Sequence, residues 1–108
     1  IDELDPVALH AVAYNGLQLP VATGRLVTAG AGVARIGRMA VDRSVRGGHL
    51  GRQVLDCLVE AARQRGDREV VLHAQCHAQA FYEKAGFTPR GDIDEEAGIP
   101  HIMMGRLL

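Results

Sequence analysis

The chain has 108 residues, 47% of them hydrophobic and 23% charged, and a formal net charge of −1 at pH 7. That length holds one domain around one core, and that balance belongs to a globular chain rather than a disordered one. A charge near zero offers no general attraction for nucleic acid or an anionic membrane, no apolar run approaches the roughly 20 residues of a membrane span, and no signal peptide is legible.

Residues 8–14 (ALHAVAY) form an apolar run that reads as a strand, closed by the turn signal Asn15-Gly16. Residues 20–29 read as a second strand and 33–41 as a third, with Gly30, Ala31 and Gly32 turning between them, so the first half is an antiparallel meander. Gly37 interrupts the third strand, which suggests a bulge or a close backbone approach. A helix is predicted over 50–65, because Leu50, Val54, Leu55, Leu58, Val59 and Ala62 recur on one face. Gly66 follows where a left-handed cap belongs. Residues 69–74 (EVVLHA) read as a buried strand. Strand, helix and strand in succession imply a right-handed crossover joining two parallel strands. A short helix over 77–85 ends at Gly86, Phe87 and Thr88 open another strand, 92–98 (DIDEEAG) read as an acidic loop, and 101–108 read as the last strand. No repeat, linker or second domain is visible, so residues 1–108 form a single α/β domain with a mixed sheet.

The stretch between the third strand and the long helix stands apart. Residues 42–52 hold Arg43, Arg46 and Arg52 against Asp42, a local charge of +2 in a chain that is −1 overall. A helix N-terminus presents unpaired N–H groups and partial positive charge, and glycines let an anion approach the backbone. Gly47, Gly48 and Gly51 stand at that approach. The stretch fits neither the P-loop nor the dinucleotide fingerprint. Read alone, it is either a phosphate cradle or an ordinary strand-to-helix turn.

RGGHLG (46–51) resembles the acyl-CoA pyrophosphate loop of the GNAT acetyltransferase superfamily, Gln/Arg-x-x-Gly-x-Gly/Ala, with His49 where the pattern has its middle glycine. QCHAQAFYEKAGF (75–87) resembles that superfamily's Asn-x-x-Ala-x-x-x-Tyr-x-x-x-Gly-Phe segment: Ala78, Tyr82, Gly86 and Phe87 match, and Gln75 replaces asparagine. RMAV (38–41) resembles the strand before the loop, and LHAQ (72–75) with EEAGIPHIMM (95–104) resembles the ElaA-like branch in particular. The resemblance spans roughly residues 8–108. It implies a GNAT-like, mostly antiparallel sheet with one β-α-β crossover and flanking helices. The strand and helices that usually precede residues 8–14 in this family are not read here, so the domain is expected to be incomplete at its N-terminal side.

The resemblance implies an acetyltransferase that moves an acetyl group from acetyl-CoA, its cosubstrate, to an amine of a small molecule or peptide. Arg46, Gly47, Gly48, His49, Leu50, Gly51 and Arg52 would hold the pyrophosphate. Met39, Ala40 and Val41 would meet the pantetheine as an added strand, with a backbone N–H near Val41 as oxyanion donor. Gln75 would hydrogen-bond the cofactor or cap the next helix. Phe81 is counted with these contacts, although the core suits it better. Tyr82 would protonate the leaving thiolate. His73, His101, Glu95 and Glu96 are candidates for the base, with His101 and Glu96 preferred and a water chain as the alternative. Asp92, Asp94, Glu95 and Glu96 would suit a cationic amine, or simply be a solvated charge run. His73, Cys76, His77 and His101 match no common zinc spacing, so no metal is expected. The alternatives are a non-catalytic acyl-CoA-binding module and a domain that binds no nucleotide. No nucleic-acid or membrane partner is expected; the resemblance allows a homodimer, for which the apolar HIMMG (101–105) is either the surface or simply core. Two cysteines, Cys57 and Cys76, read as reduced thiols in a cytoplasm, and basic residues that include a single lysine, Lys84, hint at a GC-rich bacterial source.

Overall fold

The computed structural model describes residues 8–42 and 49–108. Six strands form one sheet in the order β1-β2-β3-β4-β6-β5. They are β1 (Leu9–Tyr14), β2 (Pro20–Gly30), β3 (Val33–Val41), β4 (Glu69–Gln75), β5 (Thr88–Glu96) and β6 (Ile99–Leu107). Helix α1 (Leu50–Gln64) lies between β3 and β4 in the chain, and a 3-10 turn (Cys76–Ala78) leads into helix α2 (Gln79–Lys84). All neighbouring strands are antiparallel except β3 and β4, the pair on either side of α1. This is the mixed sheet and crossover expected from the sequence.

Local chemistry sets the turns. The Asn15 side chain accepts from the backbone N–H of Leu17 (2.8 Å) and of Leu19 (3.1 Å), an Asx-type closure of the first hairpin. The carbonyl of Gly32, at the second hairpin, accepts from the N–H of Arg68 (2.8 Å) and Glu69 (3.2 Å). That anchor starts β4 beside the start of β3, and parallel pairing begins there at Val33 and Glu69. Gly66 has φ +92°, and Asp67 donates back to the carbonyl of Ala62 at 3.0 Å, so the glycine ends α1 in the left-handed cap its position suggested.

The apolar stripe of α1 makes the core. Val54, Leu55, Leu58, Val59 and Ala62 are buried, in one cluster with Ala22 and Leu26 of β2, Ala34 and Ile36 of β3, and Val70, Leu72 and Ala74 of β4. Each larger member contributes about 1.5–3 kcal/mol by leaving water. Gly24 lets the helix lie close. A Cβ there would sit 2.6 Å from Met39 Sδ, 2.8 Å from Leu58 Cδ1 and 3.0 Å from Val54 Cγ1.

One departure from a regular sheet positions everything that follows. β3 and β4 pair only from Val33–Ile36 against Glu69–Leu72. Beyond that point β3 stays with β2, through a bulge in which Arg38 and Met39 face the single residue Gly24. Arg38 takes φ +54° there. The bulge anticipated at Gly37 thus falls one residue later. β4 instead follows β6 as far as Gln75 opposite His101. The two strands part, and a gap opens between them.

The acidic segment corrects the sequence reading. Residues 92–96 are not loop but the end of β5, which runs to Glu96 and turns through Ala97 (φ +53°) and Gly98 (φ +77°) into β6 at Ile99. Every residue of β5 is exposed, and it is an edge strand. Charge there is solvated on both faces, so it does not oppose pairing.

Candidate active site

A cavity of about 850 Å³ occupies the gap, and Ile36 to Val41 of β3 form one wall. Leu72 of β4 reaches it from the α1 side, with Gly51, Phe81 and Tyr82, while the adjacent strand residue His73 reaches it from the other face with Glu96 and His101. The cavity therefore communicates with both faces of the sheet. Its size lies within the roughly 300–1,000 Å³ usual for small-molecule sites.

On the α1 side, Arg46, Gly47 and Gly48 lie outside the described residues, as does Arg43. His49 precedes α1 with φ −104° and ψ 10°, and its carbonyl accepts the first helical bond, from Gln53 N–H at 2.9 Å. That φ is negative, so the position does not require glycine and histidine is accommodated where the family pattern has one. Leu50 is half-buried, and no acidic residue stands in the first turn of α1 to offset its positive end. A Cβ on Gly51 would come within 3.0 Å of Val41 Cγ2 and 3.7 Å of the Phe81 ring, so the bare glycine lets β3, α1 and α2 converge. The Arg52 guanidinium is engaged elsewhere on the protein: its Nε donates to Asp56 at 2.9 Å, and Nη1 donates to the Lys84 carbonyl at 3.3 Å.

Tyr82 is held between rings. Phe81 and Phe87 meet it edge-on, with centroids at 5.0 and 6.1 Å. Burial raises its phenol above the ordinary 10.0, so it carries its proton at neutral pH. Phe81 packs against the core, as its residue type suggested, and also lines the cavity. Gln75 does not cap the following turn; its Oε1 accepts from His77 Nε2 at 2.5 Å on the cavity wall.

The opposite face carries a cluster. Strand register places His73, Asp94, Glu96 and His101 on one side of the sheet: Asp94 pairs with His101, Glu96 with Ile99, and His73 is diagonal to His101. His73 Nδ1 lies 2.9 Å from Glu96 Oε1, and its Nε2 lies 2.7 Å from Asp94 Oδ1. Carboxylates only accept, so both contacts are hydrogen bonds when the ring carries two protons. The His101 ring stacks on His73 with centroids 4.7 Å apart. His101 is 6% exposed, and its Nδ1 donates to the carbonyl of Ile99 at 2.7 Å. That bond fixes the tautomer and leaves an Nε2 lone pair, to which no described residue is hydrogen-bonded. Glu95 alternates to the other side of β5, away from the cluster. The partnership of His73 with Asp94 and Glu96 was missed by sequence reasoning. Its signal was the two-residue spacing of Asp92, Asp94 and Glu96, a strand period inside a segment read as loop.

Residues 6–108 match the family model described as an acetyltransferase (GNAT) domain. ElaA of Escherichia coli (strain K12) is 42% identical over 72 residues, 66% of this chain and 47% of that protein. The uncharacterized N-acetyltransferase YjcF of Bacillus subtilis (strain 168) is 34% identical over 105 residues, 96% of this chain and 74% of that one. A crystal structure of an acyl-CoA N-acyltransferase from Pseudomonas aeruginosa superposes with a TM-score of 0.80 at 36% identity, covering 97% of this chain and 73% of that one. The cavity and its two motifs thus sit in a chain that belongs to the GNAT acetyltransferase family. It spans about half the length of the ElaA protein it matches.

Proposed function

We propose that the chain transfers an acetyl group from acetyl-CoA to an amine of a small molecule or peptide. The observation that carries the reading is the cavity opened by the parting of β3 and β4, which Tyr82 reaches from one face of the sheet and His101 from the other. Pantetheine enters as a strand along Met39, Ala40 and Val41, with the pyrophosphate over the start of α1 at His49 to Arg52 and the residues just before it. A backbone N–H near Val41 receives the developing oxyanion. The acceptor approaches from the other face as an ammonium, gives one proton to His101 Nε2, and attacks the thioester carbon as the free amine. As the tetrahedral intermediate collapses the C–S bond breaks, Tyr82 gives its proton to the departing sulfur, and the second proton lost by the amide nitrogen returns to Tyr82. Glu96, tied to His73, acts through that ring by holding it beneath His101. Asp94 and Glu96 also make this mouth acidic, which favours a cationic acceptor. The free Cys57 and Cys76 suit a reducing compartment, and on that ground the reaction is assigned to a bacterial cytoplasm.

Calorimetric titration of acetyl-CoA, followed by a thiol-release assay over a panel of amines, tests the reading. Micromolar binding that Gly51→Val weakens, with amine-dependent thiol release, is expected. Binding without release on any amine would favour a non-catalytic acyl-CoA module. No binding at millimolar acetyl-CoA would overturn both.

A further inference from the structure

We propose that His73, Glu96 and His101 also form a binding site for a divalent transition-metal ion of the zinc type. One ligand atom from each lies within 4.8 Å of the other two. Two imidazole nitrogens and one carboxylate oxygen, with the remaining positions open to a cavity, are a donor set suited to a borderline-soft dication.

The outer contacts carry the inference further than proximity does. A ligating imidazole generally donates its second ring N–H to a carboxylate or a backbone carbonyl, which aims the other nitrogen at the metal. Both histidines have such a partner. His101 Nδ1 donates to the Ile99 carbonyl, leaving Nε2 as the ligand atom. His73 Nε2 faces Asp94 at 2.7 Å, leaving Nδ1 as the ligand atom. Nδ1 already lies 2.9 Å from Glu96 Oε1, close to the separation of adjacent ligands, about 3.0–3.4 Å, around an ion with bonds of about 2.0–2.1 Å. His101 is buried, and its register opposite Asp94 holds it in place. Glu96, with a side chain 64% exposed, is able to swing inward, and a small rotation of His73 completes the convergence. The ion takes the place between His73 Nδ1 and Glu96 that a hydrogen bond otherwise fills. The expectation of no metal, drawn from the spacing of His73, Cys76, His77 and His101, considered neighbours in sequence. The ligands here come from three different strands.

Metal binding stands independently of the acetyl-transfer reading. One consequence rests on that reading: an ion on His101 Nε2 occupies the lone pair that would take the amine proton, so the metal inhibits transfer. The test is titration of the metal-free chain with Zn²⁺ against a chromophoric chelator, and with Co²⁺ followed by its visible absorption. A 1:1 site is expected, lost in His101→Ala and Glu96→Gln, and weakened about 10–100-fold in Asp94→Asn, the outer partner. His10→Ala, on a distant strand, should leave it unchanged. Glu96 and Asp94 are exposed, so their variants keep the fold, which circular dichroism checks. Absence of a 1:1 site, or a site that survives both His101→Ala and Glu96→Gln, would overturn the proposal. Acetyl-CoA titration of the metal-free chain separates this failure from failure of the acetyltransferase reading.

Discussion

Gly24→Ala is the substitution whose consequence can be followed furthest through the structure. The added methyl would lie 2.6 Å from Met39 Sδ, 2.8 Å from Leu58 Cδ1 and 3.0 Å from Val54 Cγ1, where carbon contacts are comfortable at about 3.5–4.0 Å. Met39 can swing aside, but Leu58 and Val54 are packed in the core, so these side chains must leave their rotamers or α1 must move off the sheet. Overpacking of this kind costs about 1–3 kcal/mol. Removing a glycine from the unfolded ensemble returns about 0.4–1 kcal/mol. The net is a loss of about 1.3 kcal/mol near the middle of those ranges, or about 5–10 °C in Tm for a domain this size. Gly30→Ala is the matched control: nothing lies within 4 Å of the place its methyl would take and its φ is not left-handed, so the entropy gain alone should raise Tm slightly. Thermal and urea unfolding of both variants gives the comparison. Met39 also lines the cavity, so Gly24→Ala should weaken acetyl-CoA binding as well. A Gly24→Ala variant as stable as Gly30→Ala would refute the close seating of α1 on β2.

Other outcomes follow from the same contacts. Tyr82→Phe should lower kcat by about 10²–10⁴-fold with acetyl-CoA affinity little changed, as read by steady-state kinetics and calorimetry. Because burial raises the Tyr82 pKa, the stability linked to its proton is complete below the unfolded value of 10.0 and is lost as pH rises through the folded value. Urea melts at increasing alkaline pH should show that decline in the parent chain and not in Tyr82→Phe. Leu58→Ala, at a fully buried position, should cost about 2–5 kcal/mol in the same melts. His101→Gln should lower kcat by about 10²–10⁴-fold while acetyl-CoA still binds, because it removes the proton acceptor and leaves the far side of the cavity intact.

The elements carried by strong local signals were legible in the sequence. The α1 stripe, the Gly66 cap and the Asn15-Gly16 turn each depend on residues close in the chain, and each appears where its chemistry requires. The crossover rule supplied the parallel pair. The point at which β3 and β4 part, after Ile36 and Leu72, was not legible, since no local pattern marks where a pairing stops. The acidic strand was misread because charge was given more weight than period; Ala97 in a left-handed turn position added no recognisable hairpin signal beside Gly98. The base-side cluster was legible only as a set of candidates. His73, Asp94, Glu96 and His101 come together through the register of three strands, and register is a property of pairing that a single sequence does not display.

The parting of β3 and β4 also gives this sheet an edge where edges are not normally found. From Gly37 to Ala40, β3 is paired with β2 on one side and faces the cavity on the other. Such an edge is a template for any extended segment, including a strand from another copy of the chain. The bulge at Arg38 and Met39 twists that template out of flat register, and the exposed Arg38 sets a charge beside it. The irregularity that makes room for a ligand therefore also works against self-association. Straightening it would give the chain a regular internal edge, and with it a route to aggregation.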